Sequence, residues 1–385
     1  MPERTDDARE GEGARATSLP RRIELLFKST WLRLLVGAKG ASRPLPPPDW
    51  DARPHRVLLL RYDGVGDLIV TLPLIAAIAR AHPSLVLDVL ASRSNAPLLD
   101  GHPAVHEVLV HDRATNTPAT LRRLRAKPYD AVIDCRVVAD GVNPHVARLM
   151  LATGAPYRIG LGGRHDDWIY TLAARPRRPL AHVIDYMAEL AVPFGVSPDA
   201  ARVRPTLEVS AAERGAAMAA WRDVPGDGLR VLVNLSAGNA DRRWPDERFA
   251  TVLEQARAAH PRAAILVIGL PVDGPSAAQL AESVGGAADT PSLRATLALV
   301  ATADIVFTPD TAIAHMASCF GRPTVTMLRK GFERWVPYGT SGRNVFGPSP
   351  KTLESLDTAP VATAVLDVLA ELSRVSAASR PPVDA

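Results

Sequence analysis

The feature that most constrains the fold is an alternation of short apolar runs with segments of helical periodicity, which occurs as two series along 385 residues. In the first series strands are predicted at 57–60, 85–90, 105–110 and 131–133, with helices at 68–81 and 119–126. The second series predicts strands at 231–235, 264–268, 304–307 and 324–327. This alternation is typical of α/β domains in which helical crossovers connect parallel strands.

A chain of this length exceeds one ordinary hydrophobic core, so two Rossmann-like domains are expected. We predict a tail, helix and linker over 1–54, one domain over 55–205 and a second over 206–385, with a change of composition near 205–221 as a candidate hinge. In folds of this kind, ligands bind at the carboxyl ends of the strands. The functional residues are therefore expected in the loops that follow the strands, on the two sides of a cleft.

The first 54 residues differ in composition from the rest of the chain. Residues 1–19 are polar and charged, which predicts disorder, and residues 42–50 are proline-rich, which predicts a stiff linker. Between them, residues 21–37 form a basic amphipathic pattern. Such a helix either lies on an anionic membrane surface or packs on the globular body, and the sequence favours neither.

Several functional classes are excluded by composition. No apolar run reaches the roughly 20 residues of a membrane-spanning helix. Cys135 and Cys319 lie in apolar surroundings outside any metal-binding spacing, which fits a reducing cytoplasm and argues against zinc. The formal net charge of +4 comes from dispersed arginines without an aromatic-interleaved stripe, so nucleic acid is not the expected partner.

The segment G-V-G-D after the first strand resembles the start of a dinucleotide-binding loop. Gly64 and Gly66 permit a tight turn, but Ile69 stands where the third glycine would be expected. Asp67 falls in the first helical turn, where its negative charge would repel a phosphate. Asp67 is therefore predicted either as a general base facing an acceptor hydroxyl or as a helix cap.

The first strand of the second series ends in small residues that precede two arginines. Backbone donors of Ser236, Gly238 and Asn239 are predicted to cradle an anion, and Arg242 or Arg243 to neutralise charge on a leaving diphosphate. The alternative is that both arginines belong to a solvated face.

A further strand-to-helix junction reads P-D-T-A-I-A-H. Asp310, Thr311 and Ala312 stand at the predicted helix start, where free N–H groups bind phosphate oxygens. His315 lies on the same helix face as Thr311. It is either a ligand contact or a satisfied core histidine.

Together these segments resemble glycosyltransferase family 9, the lipopolysaccharide heptosyltransferases. The resemblance covers roughly residues 56–339 and rests on four ordered segments: L-L-R-Y-D-G-V-G-D-L-I-V-T-L-P, R-R-W-P-D-E-R-F, P-D-T-A-I-A-H-M-A with G-R-P behind it, and E-R-W-V-P-Y-G. It implies the α/β GT-B fold and inverting transfer that needs no metal or other cofactor. It also implies ADP-heptose as donor, the lipid A-core as acceptor, and a site of action at the cytoplasmic face of the inner membrane.

Residue roles follow from the same resemblance. By this resemblance, Asp67 matches the base of the family, and Arg242 or Arg243 matches its basic residue before W-P. Thr311 matches the helix start that holds ADP, and Asp310 is expected to orient the heptose. The chain departs from the pattern at Ala312, where the family has glycine.

The usual G-P-T-D-P loop is also absent, and M-L-R-K-G-F-E-R-W stands in its place, with Arg329 and Lys330 as possible diphosphate contacts. Another nucleotide sugar, or nucleotide-sugar binding without catalysis, therefore remain alternatives.

Overall fold

The computed structural model describes Thr30 and residues 43–136, 143–163, 169–176 and 180–378. The chain divides into two compact units, Met1–Val203 and Arg204–Ala385. The predicted disordered tail lies outside the described residues, and so does the amphipathic helix apart from Thr30. Each unit is described by itself.

The described part of the first unit is built on a six-stranded parallel sheet with the order β3-β2-β1-β4-β5-β6. Its strands are β1 (Arg56–Arg61), β2 (Val86–Ala91), β3 (Glu107–Val110), β4 (Ala131–Asp134), β5 (Tyr157–Leu161) and β6 (Leu172–Ala174). Its α-helices are α1 (Val65–Ala81), α2 (Thr117–Arg125), α3 (Pro144–Ala152) and α4 (Val183–Glu189). The two central strands β1 and β4 are fully buried apart from the first residue of β1, as their apolar sequences predict.

The end of the proline-rich segment, predicted to be a stiff linker ahead of the globular part, packs on the first unit. Trp50 is 3% exposed, its ring stacks on Phe194 with centroids 4.5 Å apart, and its Nε1 donates a hydrogen bond to the Pro193 carbonyl. The backbone N–H of Leu45 donates to the Thr171 carbonyl at 2.8 Å. Burial of the Trp50 ring stabilises the packing of this segment on the first unit, although the prolines before it favour an extended backbone.

The second unit repeats this architecture around a sheet with the order β12-β11-β10-β7-β8-β9. Its strands are β7 (Arg230–Asn234), β8 (Ala264–Ile268), β9 (Ala287–Asp289), β10 (Ile305–Pro309), β11 (Thr324–Leu328) and β12 (Gly342–Phe346). Its α-helices are α5 (Ala211–Arg222), α6 (Asp246–Ala259), α7 (Gly274–Ser283), α8 (Leu293–Thr302), α9 (Ala312–Cys319) and α10 (Thr358–Ala378). None of the helices that the structure describes is long and apolar enough to cross a membrane.

Aromatic rings mark the core of the second unit. Trp244, Phe249 and Phe307 are fully buried, with Trp244 edge-on to Phe249 at 5.0 Å between centroids. The indole Nε1 of Trp244 donates to the Leu356 carbonyl at 2.9 Å. This contact fixes the loop before α6, because the W-P pair of the predicted motif inserts its tryptophan into the core.

Both sheets place their first strand in the middle, so the chain winds to one side and then returns to the other. This reversal occurs between β1 and β4 in the first sheet and between β7 and β10 in the second. Because adjacent loops leave in opposite directions at such a point, a crevice forms at the carboxyl ends of the strands. Each unit therefore offers one such location for ligand binding.

Candidate active site

In the first unit, β1 ends in a buried arginine that organises the loop after it. Arg61 is 1% exposed, its Nε donates to Thr71 Oγ1 at 2.7 Å, and its Nη1 donates to Asp63 Oδ2 at 2.9 Å. Asn95 Nδ2 donates to the Arg61 and Gly64 carbonyls at 3.0 and 3.3 Å. The loop between β1 and α1 is therefore held from both sides.

Asp67 is the third residue of α1, which begins after Gly64 as N-cap. Its side chain is 30% exposed, and its Oδ1 lies 3.8 Å from Arg61 Nη1, so that the carboxylate faces a buried positive charge. A methyl group at Gly64 would lie 2.7 Å from Asp67 Oδ2. Gly64 therefore leaves space for this carboxylate in its present position, whereas Gly66 lies inside the helix.

A second polar group lies across the reversal point, at the end of β4. Asp134 is 2% exposed and accepts hydrogen bonds from Arg136 Nε at 3.1 Å and from the Tyr170 hydroxyl at 2.9 Å. Burial alone would raise the pKa of Asp134, but the charge of Arg136 and these hydrogen bonds hold it below its usual value. The ion pair fixes the Arg136 guanidinium at this edge of the sheet.

A pair of histidines completes the carboxyl edge of the first sheet, and the sequence analysis missed it. His111 Nε2 and His145 Nε2 lie 2.9 Å apart, and both rings pack edge-on against Tyr62. Burial, together with the charges of His111 and of three arginines, lowers the pKa of His145 to about 4. The two histidines are 34 residues apart in sequence and belong to no local motif, so only the fold reveals the pair.

This pair should make the first unit sensitive to acid. The folded state favours neutral His145, whereas an unfolded histidine titrates near its ordinary value, so the unfolded chain binds more protons between pH 4 and about 6.5. Stability is therefore complete above about pH 6.5 and falls as the pH drops through this window, by about 1–3 kcal/mol. Urea unfolding from pH 8 to 4 should show a shallower pH dependence for His145→Gln than for the wild type. At pH 7–8 the free energies of unfolding of the wild type and the variant should change with pH in the same way, which is the control. If they also change in the same way below pH 6, the assignment to His145 is contradicted.

In the second unit, hydrogen bonds of Ser236 to Asn234, Leu270 and Asp273 hold the loop after β7. Ser236 Oγ donates to Asp273 Oδ2 at 2.8 Å and accepts from the Leu270 N–H, while the Ser236 N–H donates to Asn234 Oδ1. The hydroxyl and amide of Ser236 are thus used within the fold. Gly238 is exposed, and a methyl group there would meet open space. The loop for which an anion cradle was predicted is exposed at Gly238 rather than at Ser236, and its binding of an anion stays a prediction.

The structure separates the roles of the two adjacent arginines. Arg243 Nη1 donates to Asp273 at 2.6 Å and its Nη2 to Asp246 at 3.3 Å, so this guanidinium is bound by carboxylates on two elements. Arg242 instead lies with its Nε 3.8 Å from Asp310 Oδ2, beyond hydrogen-bond distance. Of the two, Arg242 is the one whose charge is available to an anion.

The start of α9 lies beside this loop. Thr311 is the N-cap of α9, and its Oγ1 accepts from the Ile313 N–H at 3.3 Å. Asn234 Nδ2 donates to Thr308 Oγ1 and Thr311 Oγ1 at 3.0 and 3.3 Å, which ties the end of β7 to the end of β10. Ala312 is the first residue of α9, so the predicted helix start is found where the sequence indicated it.

Asp310 is buried between two arginines. It is 6% exposed; burial raises its pKa, and the charges of Arg242 and Arg329 oppose that effect. Among the described residues, Asn239 Oδ1, Arg242 Nε and Arg329 Nε are buried atoms that lack a hydrogen-bond partner. Nine such atoms occur in the described residues, and the three on the loops after β7 and β11 are ones that a polar ligand can complete.

His315 is 5% exposed and its ring centroid lies 6.4 Å from that of Trp335. This burial favours the core interpretation over a ligand contact.

The cysteines are also buried, as predicted from their apolar surroundings, and both are free thiols.

One cluster of potential metal ligands occurs in the described residues, namely Asp88, His106 and Glu107. It lies near the opposite, amino-terminal edge of the first sheet. Arg56 pairs with both carboxylates, and Lys127 contacts Glu107 directly. Because these cations already neutralise the acids, the cluster is better described as an ion-pair network than as a metal centre.

Comparisons with known proteins agree with this architecture. A sequence model of a family described as Glycosyltransferase family 9 (heptosyltransferase) matches residues 118–357, more than half of the chain. Lipopolysaccharide core heptosyltransferase OpsX of Haemophilus influenzae is 22% identical over 293 residues, which cover 72% of this chain and 80% of the relative.

Two solved structures are similar over nearly their whole length. A family 9 glycosyl transferase from Veillonella parvula has a TM-score of 0.70 at 18% identity and is covered to 100%, with 85% of this chain covered. The E. coli heptosyltransferase WaaC with ADP has a TM-score of 0.62 at 20% identity, with 81% of this chain and 99% of WaaC covered. At these identities the likeness shows the fold, and it confirms the predicted GT-B class with two Rossmann-like domains.

Proposed function

Because the chain belongs to glycosyltransferase family 9, and is therefore a glycosyltransferase, we propose that it transfers heptose from ADP-heptose to the inner core of lipopolysaccharide. The observation that carries this proposal is the group of incompletely bonded polar side chains around Arg242, Asp310 and the start of α9, at the reversal point of the second sheet. It has the charge and the free donors that a nucleoside diphosphate needs. The relatives' names, which include a lipopolysaccharide core heptosyltransferase and a structure with ADP, support the choice of substrates.

In the proposed reaction the second unit holds the donor. The free N–H groups at the start of α9, next to Thr311, bind phosphate oxygens, and Ala312 retains its backbone donor. Arg242 neutralises the charge that develops on the diphosphate as the bond to the sugar breaks, so that transfer proceeds without a metal ion. Asp310 accepts hydrogen bonds from hydroxyl groups of the heptose.

The first unit supplies the base. Asp67 is partly exposed, and the helix N-terminus and the guanidinium of Arg61 both favour its ionised form. An acceptor hydroxyl attacks the anomeric carbon from the side opposite the diphosphate, which inverts its configuration. The carbon–oxygen bond to ADP breaks as the new glycosidic bond forms, the hydroxyl proton passes to Asp67, and ADP leaves with the bonding electron pair.

The test of this function is direct. Purified protein incubated with ADP-heptose and a heptose-deficient core lipid should release ADP and extend the lipid by one heptose. The same assay with other nucleotide sugars tests the alternative that the replaced G-P-T-D-P loop has changed the donor. Turnover with another donor, and none with ADP-heptose, would assign the enzyme to a different surface polysaccharide. We place the reaction at the cytoplasmic face of the inner membrane, where the basic amphipathic segment at 21–37 would contact anionic lipid.

Gly64→Ala should reduce the rate of transfer only because it displaces the carboxylate of Asp67. The backbone of Gly64 has φ −70° and ψ 162°, which alanine adopts without strain, but the new methyl group would displace Asp67 Oδ2. A misplaced base should lower kcat by about 10- to 100-fold with an unchanged melting temperature. Gly215→Ala in α5, where the methyl group meets nothing within 4 Å, serves as the matched control. Equal activity of both variants would show that the position of Asp67 does not matter for transfer.

A further inference from the structure

The loop after β11 carries Arg329, which the sequence suggested as a diphosphate contact and to which the proposed reaction above gives no role. Arg329 is 3% exposed, its neighbour Lys330 is exposed, and its guanidinium lies over the Phe332 ring at 4.1 Å from the centroid. Building on the proposed function, we infer that Arg329 is a second guanidinium for the donor diphosphate and that Phe332 positions it. This loop stands where the resemblance described above places G-P-T-D-P, and it reads M-L-R-K-G-F in this chain.

The sheet register places Arg329 at the right edge. β10 and β11 are adjacent and parallel, with Pro309 opposite Met327, so Asp310 and the residues after Leu328 leave the sheet at the same end. β7 flanks β10 on its other side, and the loop after β7 carries Arg242. Arg242 and Arg329 thus approach Asp310 from the two neighbours of β10.

The burial of Arg329 is energetically unfavourable without an anion. Its Nε lacks a hydrogen-bond partner among the described residues, and an aromatic ring compensates a buried cation only in part. Phe332 is itself 4% exposed, so the ring limits the directions in which the guanidinium can move. A cation fixed in this way is a preorganised ligand for a phosphate oxygen, because little side-chain entropy is lost on binding.

The charges around Arg329 support the same assignment. Burial lowers its pKa and the charge of Arg242 lowers it further, while Asp310 and Asp241 oppose the shift. Asp310 is buried near both guanidiniums, and the half-buried Asp241 also acts on Arg329. A nucleoside diphosphate would place more negative charge beside these two guanidiniums than a nucleotide with one phosphate does.

The experiment compares ADP with AMP by calorimetry, using the full-length protein. Arg329→Gln should weaken ADP binding by about 10- to 100-fold, the range for a lost charge-assisted hydrogen bond, and AMP binding by less than about threefold. Lys351→Gln, an exposed lysine of the same unit with no assigned role, is the control and should bind both nucleotides like the wild type. Without nucleotide, Arg329→Gln should melt no lower than the wild type, because an incompletely compensated buried cation has been removed.

A second variant covers the case in which Arg329→Gln is poorly folded. Phe332→Leu keeps the cation and the apolar volume but removes the ring, and it should weaken ADP binding by about threefold to tenfold. If the wild type binds ADP and both variants bind it equally well, the role of Arg329 is refuted while the proposed function stands. Equal losses for ADP and AMP would also refute a diphosphate role. If the wild type itself does not bind ADP, the proposed donor is wrong.

Discussion

Asp67→Asn is expected to lower kcat for heptose transfer by about 10²- to 10⁴-fold, the range for removal of a general base. The amide keeps the size of the side chain and its place in the first turn of α1, but it cannot accept the acceptor's proton. Affinity for ADP-heptose should remain within about twofold, because the proposed donor site belongs to the second unit. Steady-state transfer assays and calorimetry with ADP-heptose measure the two quantities separately.

A matched variant distinguishes catalysis from helix capping. Asp185 is a first-turn carboxylate of α4 in the same unit, where it accepts a hydrogen bond from the His182 N–H at 2.9 Å. Asp185→Asn should lower the melting temperature slightly and leave kcat within about threefold, because a first-turn charge contributes only about 0.3–1 kcal/mol. If Asp67→Asn behaves like Asp185→Asn, then Asp67 only stabilises its helix.

Arg242→Gln is expected to lower kcat by about 10²- to 10³-fold, as removal of a single transition-state charge contact does in other enzymes. Ground-state binding of ADP-heptose should weaken less, because the charge on the leaving diphosphate increases as its bond to the sugar breaks. The melting temperature should fall only slightly, since Arg242 Nε makes no hydrogen bond within the described residues and the charge of Arg329 still opposes the burial of Asp310. Transfer kinetics, binding and thermal unfolding of the same preparation test all three statements.

The neighbouring arginine should behave in the opposite way. Arg243→Gln leaves Asp273, which is 4% exposed, without its cation, and because Arg243 itself is 41% exposed the loss costs about 1–3 kcal/mol. We therefore expect a marked drop in melting temperature for Arg243→Gln and a smaller effect on kcat per folded molecule. A stable Arg243→Gln protein that cannot bind ADP-heptose would reverse the roles given to the two arginines.

The central strands were predictable because burial on both faces requires continuous apolar sequence. All eight predicted strands are found, including β1, β7 and β8, whose apolar runs stand out in the sequence. The four that were not predicted are β5, β6, β9 and β12. Of these, β6 and β9 have three residues each, and β12 alternates between half-buried and exposed positions at the sheet edge, so its pairing with β11 depends on tertiary contacts.

The site was predictable to the extent that its chemistry follows the strand ends. Asp67, Arg242 or Arg243, and Thr311 were predicted because each lies in the segment that follows a recognisable strand, and their roles stay predictions. The choice between Arg242 and Arg243 was not predictable, because it depends on Asp273, 30 residues away, which binds one of them. The contact between His111 and His145 likewise joins elements that only the folded sheet brings together.

The burial of Trp50 has a practical meaning for anyone who shortens this protein. The compositional boundary near residue 54 suggests a safe starting point, yet a chain begun there lacks the indole that covers Phe194 and the Pro193 carbonyl. A protein shortened in this way would expose the apolar surface around Phe194 to water and would tend to aggregate. A shortened chain should therefore keep Leu45, whose backbone N–H is bonded to the Thr171 carbonyl, as well as Trp50.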